Sequence, residues 1–249
     1  KSMRKNVLIG PIIVILIWFL ISKLNLIDKF FLPDPFTTLK ELFSLIFNGV
    51  IIQDILLTVK RTILAFIISI IIGLPLGLIL GSSRKLYESF EFVIDFFRSI
   101  PATAMFPLFL LVFGIEDKSK IAVAAFASAI IIIFNTAYGV FYSKKSRILA
   151  AKLMGASKHQ IFRFISFWES LPQTFIGLRT ALSFSLIIII VTEMFIGTYA
   201  GLGRKIIDYQ ITYNISGLYA VILLTGIIGY LINLIFVYIE KRLIHWSGR

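Results

Sequence analysis

The fold of this chain is decided by Ser146 to Arg179, SRILAAKLMGASKHQIFRFISFWESLPQTFIGLR, which separates two strongly apolar segments. Good helix formers fill Arg147 to Met154, and Gly155 then interrupts them where the backbone can turn without a Cβ clash. Ser157 and Gln160 have the spacing of a capping box, which predicts that another helix begins there. The pattern therefore predicts two short helices joined at a glycine.

The second of these helices carries an apolar stripe. Its members recur at i, i+3, i+4 and i+7 and are Ile161, Phe164, Ile165 and Trp168. We expect Ile161, Ile165 and Trp168 to pack against the core of the protein, and Pro172 to end the segment. Residues 146–172, called the elbow below, are open to two interpretations. They form either an amphipathic helix on the membrane surface or a rigid bend that another protein grips.

Composition places the chain in the membrane. Of its 249 residues, 58% are hydrophobic and 15% are charged, and the mean hydropathy is +0.94. A soluble domain has about 25% charged residues, so this is an integral membrane protein. The net charge of +12 comes from basic residues between apolar segments, where they set topology rather than bind nucleic acid.

The residue patterns of common enzyme sites are missing from the sequence. The chain has no cysteine, which excludes disulfides and cysteine metal sites. It has no G-x-x-x-x-G-K-[ST] phosphate loop and no G-x-S-x-G nucleophile motif, and His159 and His245 are far apart. We therefore expect no catalytic residue, no metal site and no cofactor on this chain.

Six segments are apolar enough to cross a bilayer, which takes about 20 residues. They are Val7 to Ile21, Ile63 to Leu80, Phe90 to Phe113, Ile121 to Tyr142, Phe175 to Ile196 and Gly217 to Ile239. The predicted fold is all-α, with an extra spanning helix in 1–30, an external amphipathic connector in 31–58 and a five-helix core in 59–249. Basic residues are commoner on the side of the termini, which predicts that both termini and the elbow are cytoplasmic.

Small residues in the second span predict close helix packing. Gly73, Gly77 and Gly81 lie four residues apart on one face, and this spacing lets the backbone of a neighbouring helix approach. Pro75 frees a carbonyl in the same span and predicts a bend.

Two spans carry candidate residues of a translocation path. Arg98, Pro101 and Pro107 predict a discontinuous third span, which is tolerated only beside protein or a water-filled cavity, and Arg98 and Pro101 are the candidates for the path. Glu193 lies inside the fifth span, and an ionisable group there is a functional candidate. The alternative for Glu193 is an ion pair with Lys60 or Arg61 at a similar depth.

The elbow resembles the EAA loop of ABC importer permeases, whose familiar form is E-A-A-x-x-x-G-A-S with a later Leu-Pro. The matching positions are Ala150, Ala151, Gly155, Ala156, Ser157, Leu171 and Pro172. Leu149 stands where the family has its glutamate. The run TEMFIGTYAGLG at 192–203 resembles the corresponding stretch of permeases for nitrate, taurine and sulfonates.

The resemblance implies the core of a type I ABC importer permease in the cell membrane, which is not itself an enzyme. It implies that the elbow contacts an ATPase through Ala150, Ala151, Gly155, Ala156, Ser157 and Lys158. The implied partners are a second, identical permease copy, two ATPase subunits that bind ATP and magnesium, and an external solute-binding protein. The alternative is an ion-coupled secondary carrier that uses Glu193 and Arg179 as a charge relay.

Overall fold

The computed structural model describes residues 9–195 and 198–244, and its regular structure is helical. The helices are α1 (Ile9–Lys23), α2 (Pro35–Phe47), α3 (Ile52–Ser82), α4 (Arg84–Ser99), α5 (Phe106–Phe113), α6 (Asp117–Phe141), α7 (Lys145–Leu153), α8 (Lys158–Ile161), α9 (Phe167–Glu193), α10 (Leu202–Ile211) and α11 (Ile215–Leu243). A π-helical segment, Phe162–Ser166, joins α8 and α9 into one continuous helix. The predicted span boundaries Val7 and Ile196 lie outside the described residues.

Four helices of the described residues are long and apolar enough to cross a membrane. They are α3, α6, the continuous helix Lys158–Glu193 and α11. A fifth span would consist of α4 and Ala102–Phe113, and α1 is a further, shorter apolar helix of 15 residues. The prediction of an all-α protein with several spans is confirmed, and the predicted six spans are compatible with this count.

The third predicted span is broken at Pro101, as expected. Its two halves, α4 and Ala102–Phe113, meet at an angle of 87°. Ile100 and Pro101 have extended ψ angles of 125° and 118°. Because a proline disfavours the helical conformation of the residue before it, α4 ends at this point.

Three helices, α3, α6 and α9, make the centre of the bundle through backbone contacts. A Cβ atom built on Gly77 would lie 2.7 Å from Cβ of Thr136 and 2.9 Å from the carbonyl oxygen of Ile133 in α6. A Cβ atom on Gly139 of α6 would lie 2.8 Å from the carbonyl oxygen of Ser170 in α9. In lipid, where burial of apolar surface between helices adds little, this close approach supplies the van der Waals contact that holds helices together.

The bundle has two ends with different roles. The elbow joins α6 to α9 at one end, which we call the loop end. At the opposite end α2, α10 and the first turns of α11 share an apolar cluster that contains Leu42, Leu45, Ile51, Leu202, Ile206 and Ala220. α2 begins there with Asp34 as its N-cap and Pro35 in its first turn, so the cap is not Thr37 or Thr38, which the pattern of the sequence suggests.

Two differences from the sequence-based prediction concern α3 and α9. α3 begins at Ile52, well before the predicted Ile63, because Asp54, Thr58 and Arg61 in its first turns are buried rather than exposed to solvent. Pro172 lies inside α9 and does not end the elbow segment. A proline removes only one backbone hydrogen bond, and helices buried in a bundle tolerate this loss.

Candidate functional site

The elbow turns at Gly155, whose φ of +80° lies in the left-handed region that favours glycine. The N–H of Ala156 donates to the carbonyl of Ala151, and the N–H of Gly155 donates to the carbonyl of Lys152, each over 3.0 Å. These two bonds form a Schellman motif that closes α7. The predicted helix–glycine–helix geometry is therefore present.

A capping box restarts the helix two residues later, as the sequence predicts. The Ser157 N–H donates to Oε1 of Gln160 over 2.7 Å, and the Gln160 N–H donates to Oγ of Ser157 over 3.3 Å. Together the Schellman motif and the capping box satisfy the backbone groups on both sides of the bend. The elbow is thus a hydrogen-bonded turn rather than a loose loop.

The tip of the elbow presents an apolar surface on the single chain. Leu153 and Met154 are 83% and 87% exposed, and nothing lies within 4 Å of a Cβ atom built on Gly155. The residues predicted to contact an ATPase share this tip, with Ala151 and Ala156 half-buried and Ala150, Gly155, Ser157 and Lys158 exposed. Leu149, at the family's glutamate position, is also exposed. Such a patch is typical of a protein–protein contact.

The π-helical segment changes which residues connect the elbow to the core. It places one extra residue between Ile161 and Ser166, both of which are buried. The stripe predicted from a regular 3.6-residue period is therefore only partly correct. Ile161 packs inward, Ile165 and Pro172 are half-buried, and Trp168 is half exposed. Ser170 and Thr174 continue the buried face toward the opposite end.

A salt bridge that the sequence does not reveal ties the two sides of the elbow. Nη1 of Arg147 donates to Oε1 of Glu169 over 2.7 Å, and the Lys144 N–H donates to Oε2 of Glu169. Arg147 precedes α9 by twenty residues, so only the tertiary fold brings the pair together. The contact fixes the start of α7 against the first turn of α9.

Glu193 lies in a buried charge cluster at the opposite end of the bundle. Its Oε1 accepts a hydrogen bond from Nη1 of Arg61 over 2.6 Å, and its Oε2 accepts one from the Thr58 hydroxyl over 2.8 Å. The Arg61 Nε also donates to Oδ1 of Asp117 over 2.9 Å. Of the two partners considered for Glu193, Arg61 is the one observed, while Lys60 is exposed.

The same cluster holds the turn that precedes α10. The N–H of Gly201 donates to Oδ1 of Asp54 over 2.7 Å, and the N–H of Leu202 donates to Oγ1 of Thr58 over 2.9 Å. A Cβ atom on Gly201 would lie 2.5 Å from Cδ of Glu193, so only glycine fits there. These contacts explain the glycine at position 201 and give Glu193 a structural role.

The residues predicted for a translocation path are not brought together. Arg98 and Pro101 line a cavity of about 230 Å³ that does not include Glu193. Arg98 pairs with Asp95 over 3.1 Å, and its guanidinium lies 4.7 Å from the ring centroid of Phe134. That Arg98 and Pro101 belong to a translocation path stays a prediction.

Arg179 is separate from Glu193 as well. Its Nε donates to Oδ1 of Asn233 in α11 over 2.7 Å. Because Glu193 is paired with Arg61 instead, the charge relay of the secondary-carrier alternative has no geometric support.

Comparison with known proteins agrees with this geometry. The family described as "Binding-protein-dependent transport system inner membrane component" matches residues 69–245. The chain is 27% identical to the taurine transport system permease protein of Escherichia coli (strain K12), over 99% of this chain and 92% of that one. It is 27% identical to the nitrate import permease protein of Synechocystis sp. (strain ATCC 27184 / PCC 6803 / Kazusa), over 86% and 80%.

The fold of this chain is also similar to that of a solved structure. A chain of the MetNI methionine ABC transporter, in an inward-facing conformation, matches with a TM-score of 0.67. The match covers 77% of this chain and 94% of that chain at 24% identity.

Proposed function

Because the chain belongs to the family of binding-protein-dependent transport system inner membrane components, we propose that its elbow is the contact through which ATP hydrolysis drives import. The chain is the membrane-embedded permease subunit of an ABC importer and not an enzyme, since ATP hydrolysis takes place on a separate subunit. The observation that carries the proposal is the exposed apolar tip around Gly155, held between two satisfied helix caps.

The assembly we propose contains two identical copies of this chain, two ATPase subunits and one external solute-binding protein. ATP and magnesium bind to the ATPase subunits, in keeping with the lack of a phosphate loop on this chain. The exposed Leu153 and Met154 fit an apolar groove on each ATPase, where burying them is favourable by about 2 kcal/mol per side chain.

Movement passes from the elbow to the spans through one rigid element. The continuous helix Lys158–Glu193 runs from the capping box to the buried charge cluster, so a displacement at Ser157 moves its far end. The Arg147–Glu169 salt bridge keeps α7 and this helix together during the movement. Closure of the ATPase dimer would therefore open the two copies toward the binding protein.

The orientation of the chain in the membrane follows from the proposal that the elbow contacts the ATPase. The ATPases bind ATP in the cytoplasm, which places the loop end there and α2 and α10 outside. The excess of basic residues near the elbow and the termini supports this orientation.

The solute we propose is a small oxyanion or a molecule that carries one. The taurine and nitrate permeases named above are similar along most of this chain. Taurine and nitrate are chemically alike in one respect, because each presents negatively charged oxygen atoms on a compact group.

Single cysteines can test the elbow directly, because the natural chain has none. Met154→Cys on the tip should cross-link to a cysteine on the ATPase surface in the assembled complex, and should react with membrane-impermeant maleimide only from the cytoplasmic side. Leu111→Cys, equally exposed but in the apolar α5, is the matched control and should do neither. Cross-linking of Leu111→Cys but not Met154→Cys would reject the elbow as the ATPase contact.

A further inference from the structure

A groove between α9 and α11 contains an arginine that no described acidic side chain neutralises. Arg179 lies fourteen residues before Glu193, or about 21 Å along the helix, so it is within the membrane-spanning part toward the loop end. Its side chain is exposed on the single chain. A charged group at this depth is costly unless it faces a water-filled path or a counter-charge.

The guanidinium of Arg179 has one hydrogen-bond partner among the described residues. Its Nε donates to Oδ1 of Asn233 over 2.7 Å, which fixes the direction of the planar group. Among the residues that the structure describes, no side chain or carbonyl accepts from its two terminal nitrogens. Those nitrogens form the edge that binds two oxygen atoms of a carboxylate, sulfonate or similar group side by side.

The groove around Arg179 has room for such a ligand. Its volume is about 570 Å³, within the usual range for small-molecule sites. Thr180 and Ser183 line it from α9, where their hydroxyls donate to the carbonyls of Ile176 and Arg179, and Tyr230 lines it from α11. Gly229 lets α11 pack closely on α9 beside the groove, because a Cβ atom there would lie 3.1 Å from Cδ2 of Leu186.

The only carboxylate among the described lining residues is Glu240, and it does not neutralise Arg179. Glu240 lies seven residues after Asn233 on α11, or about 10 Å farther toward the loop end. No ion pair within 4.0 Å joins it to Arg179 in the described part of the chain. Within the described residues Arg179 therefore has no counter-charge, and its exposed guanidinium is available to an anion from outside the chain.

We propose that Arg179, oriented by Asn233, binds the oxyanion group of the transported solute as it passes between the two copies of the chain. The assignment rests on the proposed function as an importer. It identifies the first step of recognition inside the membrane, separate from recognition by the external binding protein. A lipid headgroup phosphate could supply the same oxyanion chemistry, and the experiment below separates the two sources.

The experiment uses the complete complex in proteoliposomes, with its ATPase and binding protein, and measures uptake of labelled taurine and labelled nitrate per ATP hydrolysed. Arg179→Gln should lower uptake per ATP by about tenfold or more, the usual effect of losing hydrogen bonds to a charged group. ATP hydrolysis stimulated by the binding protein should stay within about twofold, because the elbow is untouched. Arg179→Lys keeps the positive charge but lacks the paired terminal nitrogens of the guanidinium. Its uptake per ATP should lie between those of the wild type and Arg179→Gln.

Three controls separate the effect of Arg179 from the effects of other charged residues and of anionic lipid. Arg242→Gln removes an arginine near the loop end of α11 and should leave uptake per ATP unchanged. Glu240→Gln should also leave it unchanged, whereas a defect equal to that of Arg179→Gln would show that Glu240 is the partner and overturn the proposal. Repeating the assay with and without phosphatidylglycerol separates the sources, since dependence on Arg179 only with this anionic lipid would assign the site to a headgroup.

Failure of this proposal differs from failure of the proposed function. ATP-driven uptake of an uncharged or cationic solute, with taurine and nitrate excluded, would overturn the oxyanion site and leave the importer assignment intact. A parallel loss of uptake and ATP hydrolysis in Arg179→Gln would show a structural role and overturn the site as well. No ATP-dependent uptake of any solute that the binding protein carries would instead reject the importer.

Discussion

The backbone N–H of Gly203 donates a 3.1 Å hydrogen bond to Oε2 of Glu193, so α10 begins on the carboxylate that ends α9. This carboxylate also accepts from Arg61 and Thr58 of α3. One buried group therefore fixes three helices at the end of the bundle opposite the elbow. A negative charge is favourable at this place, since the N-terminus of a helix carries a partial positive charge.

The contact leaves no room for a side chain at Gly203. We expect Gly203→Ala to lower the free energy of unfolding by about 3 kcal/mol, because its Cβ atom would overlap the carbonyl oxygen of Ile190 and lie 2.7 Å from Cβ of Glu193. Equilibrium unfolding of the purified protein in mixed detergent measures this. Gly226→Ala is the control, since nothing lies within 4 Å of a Cβ atom there. Equal stability of the two variants would contradict the packing described.

The buried Arg61–Glu193 ion pair should contribute far more to the free energy of unfolding than an exposed ion pair does. Glu193→Ala leaves Arg61 buried with only Asp117 as a counter-charge, and we expect a loss of about 3 kcal/mol in unfolding free energy. Removing Glu88, which pairs with Arg84 on the exposed surface of α4, should leave the unfolding free energy almost unchanged, because water screens this pair. A double-mutant cycle on each pair gives the two coupling energies, and similar values would argue against the buried cluster.

Close approach of α3 and α6 predicts a sharp size limit at Gly77. Gly77→Leu should separate the two helices and lower the unfolding free energy by about 2 kcal/mol or more, because even a Cβ atom lies 2.7 Å from Thr136. Gly226→Leu places the same side chain on an open face of α11 and should be tolerated. Thermal aggregation midpoints of the two variants provide the comparison. A milder effect at Gly77 than at Gly226 would be inconsistent with this packing.

A comparison of Gly155 with Gly49 separates the loss of ATPase contact at the elbow from the cost of placing a side chain at a positive φ. Gly155 and Gly49 both have positive φ, +80° and +73°, and neither has an atom within 4 Å of a built Cβ. Glutamate at either position should therefore cost about 1 kcal/mol of stability. Only Gly155→Glu should abolish the stimulation of ATP hydrolysis by the loaded binding protein, because only this position lies on the proposed ATPase contact. Normal transport by Gly155→Glu, or an equal defect in Gly49→Glu, would count against the elbow.

Asp34 provides a test of the external helix α2. The Thr37 hydroxyl, followed by the Thr37 N–H, donates to its carboxylate and holds the pKa of Asp34 below its usual value of about 3.9. A lowered pKa means that the cap contributes fully above about pH 4 and is lost as the pH falls through the folded-state pKa. Asp34→Ala should weaken the start of α2 by about 1 kcal/mol at pH 7, and Asp34→Asn should not.

Amide hydrogen exchange at Phe36 and Thr37 measures this effect. Exchange in the wild-type protein, corrected for its intrinsic pH dependence, should be constant between pH 5 and 8. A rise of protection as the pH falls toward 4 would have the wrong sign for a lowered pKa and would exclude the cap.

The local sequence pattern determined much of this protein. The apolar runs, the glycine spacing at 73, 77 and 81, the break at Pro101 and the bend at Gly155 each reflect a preference of a few neighbouring residues. Such preferences act over one or two helical turns, so they can be recognised without knowledge of the fold. The resemblance of the elbow to known permeases identified the family for the same reason.

Only the tertiary structure decided which polar residues meet. Arg61 and Glu193 are 132 positions apart, and Arg147 and Glu169 belong to different helices, so no local rule connects them. The π-helical segment, which turns Ser166 rather than Trp168 inward, likewise overrides the regular helical period. Contacts of this kind depend on how whole helices are arranged, because burial in the bundle makes an unpaired charge far more costly than it is in water.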